Sequence, residues 1–494
     1  MVTIGYDIGS SSVKAALYDV EAGRAVAQAL HPKTEMKIDS PKAGWAEQDP
    51  GIWWDAVKII TADVLGSSHL AASEISAIGI TYQMHGLVLV DKALKVLRPS
   101  IIWCDSRAVE AGDRAFSEVG EEKCLGTLLN SPGNFTASKL RWVIENEPAL
   151  FERVHKFMLP GDYIAMKLTG EATTTAQGLS EGILWDFVSD EPAYFLMKHL
   201  GIVEELLPRL VPGFGVQGAL SQSAADELGL KAGTPITYRA GDQPNNAFSL
   251  NVLRPGEVAA TAGTSGVVYG VSDRMKYDRA GRVNTFAHVN HSKDAKRLGI
   301  LLCINGTGIS NSWIRKTLYD SSTSYEDLNR FADQVPAGSE GLVFLPFGNG
   351  AERMLSNREP GASFAGLNFN IHTGNHMVRS VLEGVAFSFY YGITILKELA
   401  VDAKVVRAGM ANMFLSEVFR NTVSTLSDAV IQLYNTDGAL GAARAAAYGA
   451  GIYSSFDEAF RGLECLKTVE PDIGSRDRYL SAYAGWLNEL NIHL

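Results

Sequence analysis

Cysteine is scarce: Cys104, Cys124, Cys303 and Cys465 are the only four among 494 residues, and no C-x-x-C occurs. That spacing argues against a disulfide framework or a zinc module and for a reducing compartment. Long apolar runs are also missing. No stretch approaches the roughly 18 residues a membrane span needs. The opening Met1–Lys14 has no basic region, and Asp7 interrupts its only apolar run, so it does not read as a secretory signal. The expected location is cytoplasmic, with no membrane partner. Excess positive charge is absent: 44 Lys and Arg against 55 Asp and Glu leave a net −11. That balance argues against a nucleic-acid partner. It does not forbid an anionic ligand, which needs only local donors or a bound cation. The 46% hydrophobic and 20% charged residues are ordinary globular composition, which excludes disorder, collagen and coiled coil.

The length suggests two large domains or more. The N-terminus reads as three closely spaced strands, near Thr3–Tyr6, Val13–Tyr18 and Ala25–Ala29, forming an antiparallel meander. Asp49-Pro50 supplies an N-cap and a first-turn proline for a helix through about Leu65, with Trp53, Trp54, Val57, Ile60 and Val64 at helical spacing. A buried strand is expected over Ala77–Tyr82, ending in Gln83-Met84-His85-Gly86. Later segments alternate strand-like and helix-like runs, which favours a mixed α/β sheet.

A seam lies near the middle. Pro235–Ala240 reads as a strand and Gly241-Asp242-Gln243-Pro244 as a strand-to-helix turn; Val258–Ala262 opens a new strand. Gly263-Thr264-Ser265-Gly266-Val267 echoes Gly9-Ser10-Ser11-Ser12-Val13 about half a chain later. The echo proposes a duplication, with domains at 1–248 and 249–494. Val378–Leu399 is the clearest helix of the second half, and Asp437-Gly438-Ala439-Leu440-Gly441 opens a small-residue helix.

Familiar phosphate and metal motifs are few. There is no G-x-x-x-x-G-K-[ST] and no H-E-x-x-H. His372 and His376, and likewise His288 and His291, have no evident third ligand. What remains is a set of polar turns at strand ends. Asp7 with Gly9, Ser10, Ser11, Ser12 and Lys14 suits a hairpin whose N–H and O–H groups face phosphate oxygens; an ordinary serine-rich turn reads the same way. Asp242 suits a base or magnesium partner at a helix start, or merely a cap. Met84 and His85 suit a sugar-recognition edge, or packing. Gly263-Thr264 offers a second phosphate turn. The small residues around Gly409 would admit a flat base, or a close helix contact.

Taken together these residues resemble the FGGY carbohydrate kinases. The resemblance runs from Ile4 to about Gly451. It is carried by Asp7–Lys14, Trp45–Pro50, Gln83–Gly86, Arg98–Asp105, Lys139-Leu140-Arg141-Trp142, Gly241-Asp242-Gln243, Gly263–Gly266, Leu382-Glu383-Gly384 and Gly438–Ala443. It implies a duplicated, ribonuclease-H-like (actin-like ATPase) α/β fold of two lobes with an interdomain cleft. The first lobe would bind sugar and the second nucleotide. It also implies transfer of the γ-phosphoryl of ATP, with Mg²⁺, to the terminal hydroxyl of a sugar. Gln83-Met84-His85-Gly86 points within the family to members acting on xylulose, hence to O5 of a ketopentose. By the same resemblance Asp242 is the general base, for which a low carboxylate pKa would suffice, and Asp7 and Asp242 face the metal. Met84, His85, Trp103 and Asp105 contact sugar. Ser10, Ser11, Ser12, Lys14 and Thr264 face the phosphates, and Gly308, Gly409 and Asn412 lie near the adenosine. A homodimer is a family-level expectation. Two departures, Gln243 after Asp242 and the Ala408–Leu415 turn, lean towards glycerol kinases. Other sugars of the family (L-ribulose, glycerol) and an actin- or chaperone-like ATPase are the rival readings.

Overall fold

The computed structural model describes all residues from Met1 to Leu494. The chain divides into two compact units. One comprises Met1–Asn251, Phe286–Leu298 and Thr436–Leu463; the other comprises Val252–Thr285, Gly299–Asn435 and Glu464–Leu494.

The first unit is built on a sheet of β1 (Val2–Ile8), β2 (Val13–Asp19), β3 (Arg24–His31), β4 (Ile75–Tyr82), β5 (Phe214–Ala219) and β6 (Pro235–Gly241), in the order β3-β2-β1-β4-β6-β5. β1, β2 and β3 pair antiparallel as the meander, β1-β4 and β4-β6 pair parallel, and β5 returns antiparallel. β1, β2 and β4 are almost wholly buried apolar residues, as a sheet covered on both faces requires. Helix α1 (Pro50–Ser68) starts where the sequence places it. Asp49 accepts from the N–H of Gly51, Pro50 occupies the first turn, and all five expected apolar residues are buried. Three further helices carry side chains discussed below: α2 (Thr136–Asn146), α3 (Ala176–Glu181) and α4 (Asp242–Ser249).

The second unit repeats this plan. Its strands β7 (Val258–Ala262), β8 (Gly266–Ser272), β9 (Leu298–Ile304), β10 (Val405–Gly409), β11 (Val430–Tyr434) and β12 (Cys465–Val469) run in the order β9-β8-β7-β10-β11-β12. β7-β8 is antiparallel, β7-β10 and β10-β11 are parallel, and β12 is antiparallel. These six match β3-β2-β1-β4-β6-β5, and a seventh strand, Asn284–Ala287, is added at the edge beside β9. The Gly9 and Gly263 turns, whose likeness hinted at duplication, are the same first hairpin in each sheet. Helix α5 (Gly308–Leu318) follows β9, and α6 (Gly374–Glu398) buries its apolar face in this unit's core.

One late helix, α7 (Gly438–Gly449), belongs to the first unit. It lies directly on β1 and β4. A Cβ at Gly5 would stand 2.1 Å from the Ala439 carbonyl oxygen, and one at Gly79 would stand 2.1 Å from that of Ala442. Only glycine permits so close a backbone approach. The hydroxyls of Thr3 and Thr237 donate to the carbonyls of Ala443 and Ala446 at 2.7 and 2.8 Å. This contact seats the N-terminus of α7 beside Asp7.

Two strings have the spacing of known motifs without their context. Gly213–Gly218 reads G-x-G-x-x-G but lies largely in antiparallel β5, not at a strand-to-helix turn. Gly178–Gly182 reads G-x-S-x-G, but Ser180 is buried inside α3, where its hydroxyl donates to the Gln177 carbonyl. No disulfide joins any of the four cysteines, and no helix is long and apolar enough to cross a membrane.

Candidate active site

β1, β4 and β6 are adjacent parallel strands, and their registers end together: Ile8 pairs with Tyr82, and Tyr82 with Gly241. Asp7, the Gln83–Gly86 turn and Asp242 therefore emerge at one end of three neighbouring strands. At about 4.8 Å per strand, the outer two backbones stand about 10 Å apart, the span of one small ligand. Ligands of open α/β sheets bind at such carboxyl ends.

Asp7 opposes Lys14 across the β1-β2 hairpin. A Cβ at Gly438 would lie 2.6 Å from an Asp7 carboxylate oxygen, so the first turn of α7 closes on it. Burial pushes Asp7 up to about 6; Lys14 pulls it down and Asp437 pushes it up. Asp242 is the first residue of α4. Burial, then the Asp7 charge, lifts it to about 7, against the N–H and side chain of Gln243, which favour the anion. A low carboxylate pKa would suffice for such a base; the fold instead raises it. Two carboxylates forced together with one lysine as counter-charge suit a divalent cation. Such a cation, where hard like Mg²⁺, takes one or two carboxylates and completes its shell with waters and substrate phosphates.

These shifts have a measurable consequence. A carboxyl whose folded-state pKa lies above its unfolded value contributes stability that is complete below about pH 4. That contribution is lost as pH rises through the folded pKa values, here about 6 and 7. In metal-free buffer, a D7N/D242N double variant should therefore gain on wild type by several kcal/mol, up to about 7, between pH 4 and pH 8. Urea melts across that range measure it; parallel pH dependences would contradict it.

The Gln83–Gly86 turn is held from several sides. Met84 is buried, its Cγ 2.7 Å from where a Gly241 Cβ would stand, so it wedges directly behind Asp242. His85 adopts a left-handed backbone, φ +62°. Its Nδ1 donates to the Glu181 carbonyl at 2.8 Å. Phe135 packs edge-on against the imidazole at 4.8 Å, and Phe286 lies tilted against it at 5.2 Å. Trp103 is half exposed and donates from Nε1 to the Ser10 hydroxyl at 3.2 Å, which brings it to the first hairpin. Ser11, Ser12 and Lys14 complete that hairpin.

Asp105 departs from expectation. It is fully buried; it accepts from the Ala46 N–H at 2.6 Å and pairs with Arg107 at 2.7 Å. It is a brace under the Trp103 loop, with no oxygen offered to a ligand. Sequence reasoning missed Phe135, Phe286 and Glu181. Glu181 is buried beside Asp242, a carboxylate oxygen 2.4 Å from where a Gly241 Cβ would stand; burial, above all, pushes its pKa well up. A carboxylate inside a six-residue helix carries no sequence signal of such a role.

In the second unit the Gly263 turn meets the start of α5. Gly308 N–H donates to the Gly263 carbonyl at 2.8 Å, and a Cβ at Gly308 would stand 2.5 Å from that oxygen. Gly263, Thr264, Gly308 and Asn412 line one cavity of about 440 Å³, of a size for a nucleoside. Asn412 turns into it through a left-handed backbone, φ +54°. Tyr325 and Asn329 also line this cavity and were not anticipated. Gly409 ends β10 and is not among the lining residues.

A duplicated α/β fold with paired carboxylates at the strand ends of one unit and a nucleoside-sized cavity in the other defines a phosphotransferase class. Residues 2–249 match the N-terminal domain of the FGGY family of carbohydrate kinases and residues 258–450 its C-terminal domain, so the chain belongs to that family and is a carbohydrate kinase. It is 28% identical to a xylulose kinase of Bacillus subtilis over 458 residues, covering 92% of this chain and 89% of that one. It is 29% identical to an L-xylulose/3-keto-L-gulonate kinase of Escherichia coli over 489 residues, covering 97% and 95%. The crystal structure of a xylulose kinase from Rhodospirillum rubrum superposes with a TM-score of 0.89 at 28% identity, covering 100% of this chain and 99% of that one. The two-domain, actin-like fold expected from the resemblance is the fold observed.

Proposed function

We propose that this kinase phosphorylates a ketopentose, D-xylulose at O5, using ATP and Mg²⁺. The observation that carries the reading is the alignment of Asp7, His85 and Asp242 at the ends of three adjacent parallel strands. His85 contacts a sugar hydroxyl, and Trp103 covers the sugar. Asp242 takes the proton of the attacking hydroxyl as its oxygen bonds to the γ-phosphorus and the bond to the β-phosphate oxygen breaks, leaving ADP. Such transfers pass through a loose transition state, so orientation and charge placement dominate. Asp7 and Asp242 would hold Mg²⁺, which when bound neutralises phosphate charge. The Ser10–Ser12 turn and Lys14 offer donors suited to phosphate oxygens; within the second unit, Thr264, Gly308 and Asn412 line the cavity that takes the nucleotide.

Removing the imidazole in His85→Ala should raise the sugar KM about 10–100-fold, the loss of one or two hydrogen bonds and their desolvated setting, with the nucleotide KM within about twofold. An unchanged sugar KM would remove His85 from the sugar site. The Escherichia coli relative supports a second reading, in which L-xylulose or 3-keto-L-gulonate is the better substrate. A coupled ADP-release assay across D-xylulose, L-xylulose, 3-keto-L-gulonate, L-ribulose and glycerol separates these. D-Xylulose should give the highest kcat/KM. ATP turnover indifferent to every sugar would instead favour a protein-directed ATPase.

A further inference from the structure

The Lys139-Leu140-Arg141-Trp142 string carries part of the family resemblance, yet the reaction above gives it no task. Lys139 is fully buried. Burial pulls its ammonium down to about 7, despite nearby Asp105 and Cys104. It has no carboxylate partner at ion-pair distance: Asp105 is already committed to Arg107 and the Ala46 N–H. An interior lysine without an ion pair is costly. Its Nζ donates instead to two main-chain carbonyls, those of His85 and Ile102, each at 2.9 Å.

Those two carbonyls belong to the two segments assigned to the sugar. His85 has a left-handed backbone and Ile102 directly precedes Trp103. The start of α2 grips the first segment at two further points. Phe135, immediately before the helix, packs its ring on the His85 ring, and the Thr136 hydroxyl donates to the Gly86 carbonyl at 3.3 Å. Phe135 is the N-cap of the helix, and the Lys139 N–H donates to its carbonyl at 2.9 Å. One helix start thus fixes the His85 ring, the His85 carbonyl, the Gly86 carbonyl and the base of the Trp103 loop.

We propose that Lys139 is a positioning residue that clamps the His85 turn and the Trp103 loop into one rigid sugar-binding edge, with Phe135 and Thr136 completing the splint. It does not touch the sugar. It acts by holding two loops in register, so its removal loosens sugar binding while leaving the nucleotide cavity of the other unit intact. The inference rests on the sugar site proposed above.

The test is steady-state kinetics with D-xylulose and ATP on wild type, Lys139→Met and Thr136→Val, with circular dichroism and thermal melts on each. Wild-type turnover of D-xylulose tests the underlying reading; its absence would sink that reading and this inference with it. Given wild-type turnover, K139M should raise the D-xylulose KM about 10–100-fold while the ATP KM stays within about twofold. T136V should raise the sugar KM about 2–5-fold in the same direction. A folded K139M with the wild-type sugar KM, or with both KM values raised alike, overturns the clamp while leaving the kinase assignment intact. Should K139M fail to fold, T136V decides: a sugar-only KM increase supports the splint, and wild-type values contradict it.

Discussion

Asp242→Asn should lower kcat by about 10²–10⁴, the range for a positioned general base, with the sugar KM within a few-fold of wild type. The substitution preserves shape but cannot accept a proton. Asp242 sits at about 7 in the unliganded protein because it is buried and faces Asp7, which places it near the pH at which a base is most useful. Below that value the carboxyl is protonated and inactive, so wild-type kcat/KM should fall on the acid side. D242N should lose that limb together with most of its rate. Full turnover by D242N would remove Asp242 from the chemistry.

The second large effect is expected at Asp7. Asp7→Asn should lower kcat about 10²–10³, comparable to losing one preorganised electrostatic contact to a transition state. The variant should also need about tenfold more Mg²⁺ for half-maximal rate, since one of the two anions proposed to hold the metal has gone. The sugar KM should stay close to wild type, which separates Asp7 from His85. A wild-type Mg²⁺ requirement would assign Asp7 a purely structural part, holding the first turn of α7.

Much of this was legible in the sequence because it is written locally. The Asp49-Pro50 cap, the three-strand meander and the strand-to-helix turn at Asp242 depend on neighbours within a few residues. The likeness of the Gly9 and Gly263 turns foretold two sheets of one plan. Long-range assembly was not legible. Nothing in Gly438–Gly449 announces that it packs on β1 and β4 more than 350 residues earlier in the chain; the signal is spread over Gly5, Gly79 and the alanines that meet them. The same holds for Phe286, which reaches His85 from a distant segment, and for Glu181, whose place beside Asp242 follows from the seating of α3. Asp105 misled for the opposite reason: an acidic residue beside an exposed tryptophan looks available, and only the fold shows Arg107 and the Ala46 N–H consuming it.

The most direct test follows the phosphoryl group itself. Purified protein, ATP, Mg²⁺ and D-xylulose are incubated and the products read by phosphorus and carbon NMR. The account predicts one phosphate monoester, coupled to C5, formed in step with ADP. Inorganic phosphate formed with no sugar ester, or an ester at another carbon, would contradict it.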